Sequence, residues 1–235
     1  MGPDIQIPRE TRLTKLSEDF EYALDRFEGL KGGPAPGDID TNRYRGKIPQ
    51  SLLDFWGLHG LGTWLEGYFQ FCDPDKYQPV IKEIFGNDSE FIADRCHLVG
   101  FSAFGNMLVW NEDFQVTDVD VIRHSVSALR YIKPDPSIDP DIAIGVSVSS
   151  VDDSAYDAVD EDGNDLFKPL LKALGPTGFG RIYAPKLYPA MGGSITFENF
   201  HLANALEALI INARSAPFIL KDVTDFNQKI IREIG

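Results

Sequence analysis

Residues 48–85 read IPQSLLDFWGLHGLGTWLEGYFQFCDPDKYQPVIKEIF, and their punctuation sets how the rest of the chain is read. Pro49 suits the first turn of a helix, where its missing N–H is not needed. Leu52, Phe55 and Trp56 then fall at i, i+3 and i+4, one apolar face of a short helix. Gly57, Gly60 and Gly62 break that helix and allow a tight turn. Trp64, Tyr68, Phe69 and Phe71 form an aromatic-rich strand. Asp73 caps and Pro74 opens the next helix. Tyr77, Val80, Ile81, Ile84 and Phe85 repeat at helical spacing until Gly86-Asn87-Asp88 stops the run. The stretch holds none of the groups an active site needs.

Outward from this block, Leu16, Phe20, Ala23, Leu24 and Phe27 mark an amphipathic helix, with Ser17 as its N-cap. Residues 29–37 (GLKGGPAPG) are an irregular loop. Residues 97–111 read as two strands around a Gly105-Asn106 turn, and residues 114–122 alternate like a half-buried strand. An antiparallel meander with helices on one face is expected. Pro134, Pro136 and Pro140 mark the best boundary, dividing the chain into residues 1–132 and 133–235. Beyond it, Ile142 to Val148 resumes an apolar alternation, and residues 152–164 form an acidic loop. Leu166 to Leu174 fits a helix ended by Gly175. Leu202, Ala205, Leu206, Leu209 and Ile210 form an apolar helix face with Asn199 as cap. Val223, Phe226, Ile230, Ile231 and Ile234 suggest a final helix. The expected class is α+β, with antiparallel or mixed sheets, packed helices and two small lobes sharing an interface.

The chain carries 22 Lys and Arg against 36 Asp and Glu, a net charge of −14. Ten of those acids lie between Asp135 and Asp165, a span with no Lys or Arg. Phosphate contacts need the opposite sign, so free nucleic acid and anionic membranes are poor partners. A basic protein is the natural complement; the plainer reading is a solvated loop that aids solubility. No run of about 18 apolar residues suggests a membrane span. The first residues, MGPDIQIPRE, read as neither a secretory signal nor a myristoylation site, so a cytosolic protein is expected. Cys72 and Cys96 sit in apolar segments and read as buried free thiols, with a disulfide as the alternative.

Catalytic chemistry finds little support. His59, His97, His124 and His201 lack metal-ligand spacing. Cys96 and His97 are neighbours in a strand and point to opposite faces. Residues 100–105 (GFSAFG) brush against a nucleophile elbow, but Phe104 occupies the needed glycine position. Residues 175–180 (GPTGFG) are glycine-rich without the Lys and Ser or Thr of a phosphate loop. Asp152, Asp153 and Asp157, or the DEDGND run at 160–165, have the residue types of a cation loop. That run lacks the bidentate Glu such a loop needs. Trp56 and Trp110 are expected in the core; Trp64 is a core residue or an exposed anchor. No catalytic residue, metal or cofactor is assigned.

Several of these motifs have a counterpart. Ile48-Pro49, Leu52 to Trp56, Gly60-Leu61-Gly62, Gly67-Tyr68-Phe69 and Asp73 to Tyr77 resemble the bacterial GAD-like domain family. A second string resembles the domain that commonly follows it: Leu174-Gly175, Ile182-Tyr183, Tyr188-Pro189-Ala190, Gly192-Gly193, Asn199 and Leu206 to Leu209. Together the pair resembles the immunity protein of a type VI secretion DNase effector, over roughly residues 15–215. The resemblance implies a cytosolic inhibitor of a cognate DNase, whose DNA-gripping surface is basic. Inhibition would proceed by covering the catalytic groups or by occupying the DNA-binding face. The acidic segment then nominates Asp152, Asp153, Tyr156, Asp157, Asp160, Glu161 and Asp162 as partner-binding residues. Tyr68 and Phe69 join them as aromatic anchors if they face out, with Tyr188 and Arg214 as further candidates. The alternative is a small-ligand-binding or regulatory module without catalytic activity.

Overall fold

In the computed structural model, residues 17–27, 29–151 and 156–235 are described. The opening block folds largely as its punctuation dictates. Helix α1 (Glu18–Phe27) precedes the short strand β1 (Lys31–Gly32), and α2 (Gln50–His59) follows Pro49. Gly60 ends α2 with φ +76°, and a Cβ there would collide with the Pro34 carbonyl, so only glycine fits. The expected aromatic strand is two strands, β2 (Gly62–Trp64) and β3 (Phe69–Phe71). Leu65, Glu66 and Gly67 all take positive φ, which reverses the chain and pairs Trp64 with Phe69. Helix α3 (Pro74–Phe85) starts where expected, with Asp73 accepting from Asp75 N at 3.1 Å.

The meander follows as β4 (Cys96–Ser102), β5 (Met107–Asn111), β6 (Gln115–Asp120) and β7 (Ser125–Ser127). These strands pair in order, each antiparallel to the last. Helices lie on both faces of the sheet, not one. Phe71 and its partner Gly100 face Phe55 and Trp56 of α2, whereas the adjacent Phe101 meets Tyr77 of α3. A Cβ at Gly100 would stand 2.5 Å from the Phe69 ring and 2.9 Å from the Gln70 carbonyl oxygen, so glycine is favoured there. The short helix α4 (Leu129–Ile132) leads to α5 (Pro140–Ser149), which packs on β6 beside α1 and α2.

Helix α5 corrects the alternation read at Ile142 to Val148. Asp139 accepts from Asp141 N at 2.8 Å and Pro140 occupies the first turn, so the helix is nucleated before the alternation is reached. Helix α6 (Phe167–Leu174) ends at Gly175 as expected. Strands β8 (Arg181–Pro185) and β9 (Phe200–Asn204) form a separate hairpin. Gln70 fastens that hairpin to the main sheet by donating to Arg181 O at 2.9 Å and accepting from Gly180 N at 2.7 Å. Helix α7 (Ala205–Ala213) starts later than expected: Leu202 belongs to β9, and the cap is Asn204, which accepts from Glu207 N.

The expected last helix is instead a hairpin of β10 (Phe218–Lys221) and β11 (Ile230–Ile234). Asp222 and Asp225 accept from the N–H groups two residues on, Thr224 and Asn227. These turns break the helical spacing and leave Phe226 fully exposed. Strand β10 runs parallel to β7, so the hairpin extends the sheet to nine strands in the order β1-β2-β3-β4-β5-β6-β7-β10-β11. The class is α+β. Trp56, Trp64 and Trp110 are all core residues, and Cys72 and Cys96 are free, buried thiols. Burial pushes the Cys96 thiol up to about 12.

Candidate protein-binding site

The acidic segment is held against the sheet by internal contacts. Tyr156 N donates to the Tyr68 hydroxyl at 2.8 Å, and the Tyr156 ring lies near-parallel to Phe69 at 6.2 Å. The Tyr156 hydroxyl donates to Asp118 Oδ1 at 3.1 Å. Tyr68 and Phe69 are fully buried, so the condition attached to them as outward anchors is not met. Their neighbours Trp64 and Phe71 close over the aromatic face of the sheet. Tyr68, Phe69 and Tyr156 do converge, but as the inner fastening of the acidic segment.

Asp157 and Asp160 also have internal duties. Asp157 Oδ1 accepts from Leu166 N at 3.2 Å and Phe167 N at 2.9 Å, placing a carboxylate at the start of α6. Burial raises its pKa to about 6, against the pull of the Phe167 hydrogen bond. Asp160 Oδ1 accepts from Asp162 N and Asn164 N, closing the loop at its own base. Val159 pairs with Asp165 across that loop, so the tip is pinched into a narrow projection. Glu161, Asp162 and Asp165 are exposed, and their carboxylates serve no internal bond among the described residues. Asp152 and Asp153 lie outside the described residues. Arg214 is taken up by an ion pair with Glu83, and Tyr188 is nearly buried, its hydroxyl donating to Ala208 O at 2.9 Å.

Next to this fastening lies a trough on the α5 face. Its apolar half, about 500 Å³, is lined by Val116, Leu129, Ile138, Ile142, Val146 and Val223. Its polar half, about 310 Å³, is lined by Asp120, Arg123, Ser125, Tyr156, Asp157 and Lys221. Asp118, Ser127 and Val223 belong to both halves. Asp118 is paired with Ser127 across β6 and β7 and sits where the halves meet. Burial raises its pKa to about 6, in spite of the Tyr156 hydrogen bond. Arg123 is committed to Asp120 at 2.8 Å, and no Lys or Arg forms an ion pair with Asp118 among the described residues. No sequence signal sets Asp118 apart, because it falls on the polar side of an alternating strand, the side that ordinarily faces water.

His124 and His97 are each engaged by neighbouring polar groups. His124 Nε2 stands 3.0 Å from Asn212 O and 3.2 Å from Ser215 Oγ, and Ser215 Oγ donates to Asn212 O at 2.8 Å. A ring nitrogen that donates to a carbonyl has no lone pair left to activate the serine. His97 pairs with Glu112 at 2.8 Å at the start of β4. Among the described residues, no three His, Cys, Asp or Glu side chains converge to hold a metal ion. No helix among them is long and apolar enough to cross a membrane.

A nine-stranded mixed sheet with helices on both faces and a separate two-stranded hairpin define an α+β protein. The GAD-like domain family profile matches residues 18–123. The crystal structure of Atu4351 from Agrobacterium tumefaciens is similar over 92% of this chain and 98% of that one, at 41% identity and a TM-score of 0.88. Residues 18–123 of the chain are thus a GAD-like domain. No curated protein matches it.

Proposed function

We propose that this protein is a non-catalytic cytosolic immunity protein that binds a cognate type VI secretion DNase effector and occupies its DNA-binding face. The observation that carries the reading is the charge. The chain has 14 excess negative charges, and ten acids fall within residues 135–165 without a single Lys or Arg. An enzyme that grips phosphates presents the complementary surface, and the two fields accelerate encounter. The resemblance of both halves of the sequence to such immunity proteins supports the same partner.

The test is co-expression in bacteria with a nuclease encoded beside this gene, followed by affinity capture at low and high salt. Restored growth and a complex that weakens as salt rises are expected. Continued killing with no complex overturns the reading. The polar half of the trough favours a second reading, a small-ligand-binding module. Mass spectrometry of the denatured protein would then show a co-purifying small molecule.

A further inference from the structure

We infer that the trough on the α5 face receives a segment of a protein partner that carries apolar side chains next to a lysine or arginine. The inference rests on the neutralisation reading only for the identity of that partner. Three observations on different elements point to this occupant.

The first is α5 itself. Its inner face buries Ile144 and Val148, yet Ile142 and Val146, four residues apart on the outer face, are 58% and 50% exposed. Leu129 and Val223 stand across the groove from them, also exposed. A helix apolar on all sides is ordinarily covered on all sides, and clustered exposed apolar side chains mark contact surfaces. The second is Asp118, a carboxylate on the floor of the trough whose hydrogen bond comes from the neutral Tyr156 hydroxyl. Arg123 is held by Asp120, and although Arg130 and Lys221 also line the trough, neither forms an ion pair with Asp118 among the described residues. The third is Gln115 at the end of the groove. Its Nε2 donates to Ile138 O at 2.9 Å, and its Oε1 is buried with no hydrogen-bond partner among the described residues.

An occupant that satisfies all three brings apolar surface to Ile142 and Val146, a cation to Asp118 and a donor to Gln115. A nucleic acid would meet Asp118 and the acids next to the groove, Asp139, Asp141 and Asp222, with like charge. A second copy of this chain would bring another net charge of −14 against the first. A basic, partly apolar segment of a DNA-binding protein fits both the surface and the field. The trough would then supply the apolar anchor, while the projection at Glu161 and Asp162 supplies attraction over distance.

The probe is a fluorescein-labelled amphipathic peptide of leucine and lysine, with a leucine–glutamate counterpart, followed by anisotropy against the full chain. The lysine peptide is expected to bind at least about tenfold tighter than the glutamate peptide. Val146→Lys is expected to weaken it about tenfold. Ile211→Lys, the same charge change at an exposed position of α7 on the opposite face, should leave affinity within about twofold. Photo-crosslinking of the lysine peptide to the unaltered protein should label Leu129, Ile142, Val146 or Val223. No binding of the lysine peptide, equal losses in both lysine variants, or crosslinks elsewhere overturns the inference. So does a dimer that Val146→Lys dissociates, which would assign the trough to a second copy. If the peptide results hold and nuclease rescue fails, the trough stands and the DNase is the wrong partner. If rescue succeeds and Val146→Lys protects as well as the unaltered protein, the neutralisation reading stands and the trough does not.

Discussion

Asp88 and Asp118 show how opposite environments set the pH response of this protein. Asp88 is buried, which alone would raise its pKa, but Arg232 and the N–H groups of Phe91, Glu90 and Gly235 hold it well below the usual carboxylate range. Arg232 bonds it at 2.5 and 2.9 Å and lies over the Phe91 and Tyr131 rings, fastening β11 to the loop after α3. Arg232 keeps Glu90 at 2.9 Å when Asp88 is removed, but the N–H groups of Glu90, Phe91 and Gly235 lose their acceptor, so Asp88→Ala is expected to cost about 2 kcal/mol in urea unfolding. A loss below about 0.5 kcal/mol would contradict the clamp. The depressed pKa of Asp88 gives stability that is present above the unfolded value near pH 4 and is lost as pH falls further. Asp118 and Asp157, both raised to about 6, act with the other sign. They bind protons in the folded state first, so between about pH 7 and pH 4.5 they make stability rise as pH falls. Asp118→Asn is expected to flatten that slope and to stabilise the protein at pH 7 by on the order of 2 kcal/mol. An unchanged slope in denaturant titrations across that range would contradict the placement of Asp118.

At the scale of elements, α5 is the clearest case of local chemistry overriding a pattern. Ile142, Ile144, Val146 and Val148 alternate as a strand does, yet the Asp139 cap and Pro140 commit the segment to a helix. Asp139→Ala is expected to lower stability by about 1 kcal/mol, read by thermal unfolding, and to loosen the outer wall of the trough. The C-terminal hairpin makes the same point in reverse: Ile230, Ile231 and Ile234 satisfy a helical spacing, but the Asp222 and Asp225 turns between β10 and β11 decide. Elements with both a boundary residue and a matching period were legible, among them α2, α3, α6 and the β4–β6 meander. Those whose period and boundary disagreed were misread. The candidate surface was legible only as charge. Asp157 and Asp160 looked equivalent to Glu161 and Asp162 in the sequence. The N–H groups they accept from, in α6 and in the loop itself, come from the folded chain. The burial of Tyr68 and Phe69 was equally hidden, because an aromatic strand has two faces and here helices cover both.

At the scale of the whole molecule, the account joins a rigid sheet to two surface features of different kinds. Among the described residues, the Glu161 and Asp162 carboxylates at the tip of the projection make no internal bond, so their sign can be changed while Asp160 still closes the loop. Replacing Asp157 or Asp160 instead would confuse lost attraction with a lost cap. The most direct test is the association rate with the nuclease for the unaltered protein and for the Glu161→Lys, Asp162→Lys variant, at low and high salt. About a tenfold slower association is expected for the variant at low salt, with the two rates converging as salt rises. Equal rates at low salt would contradict it, because an acidic face that does not steer the encounter is only a solvated surface.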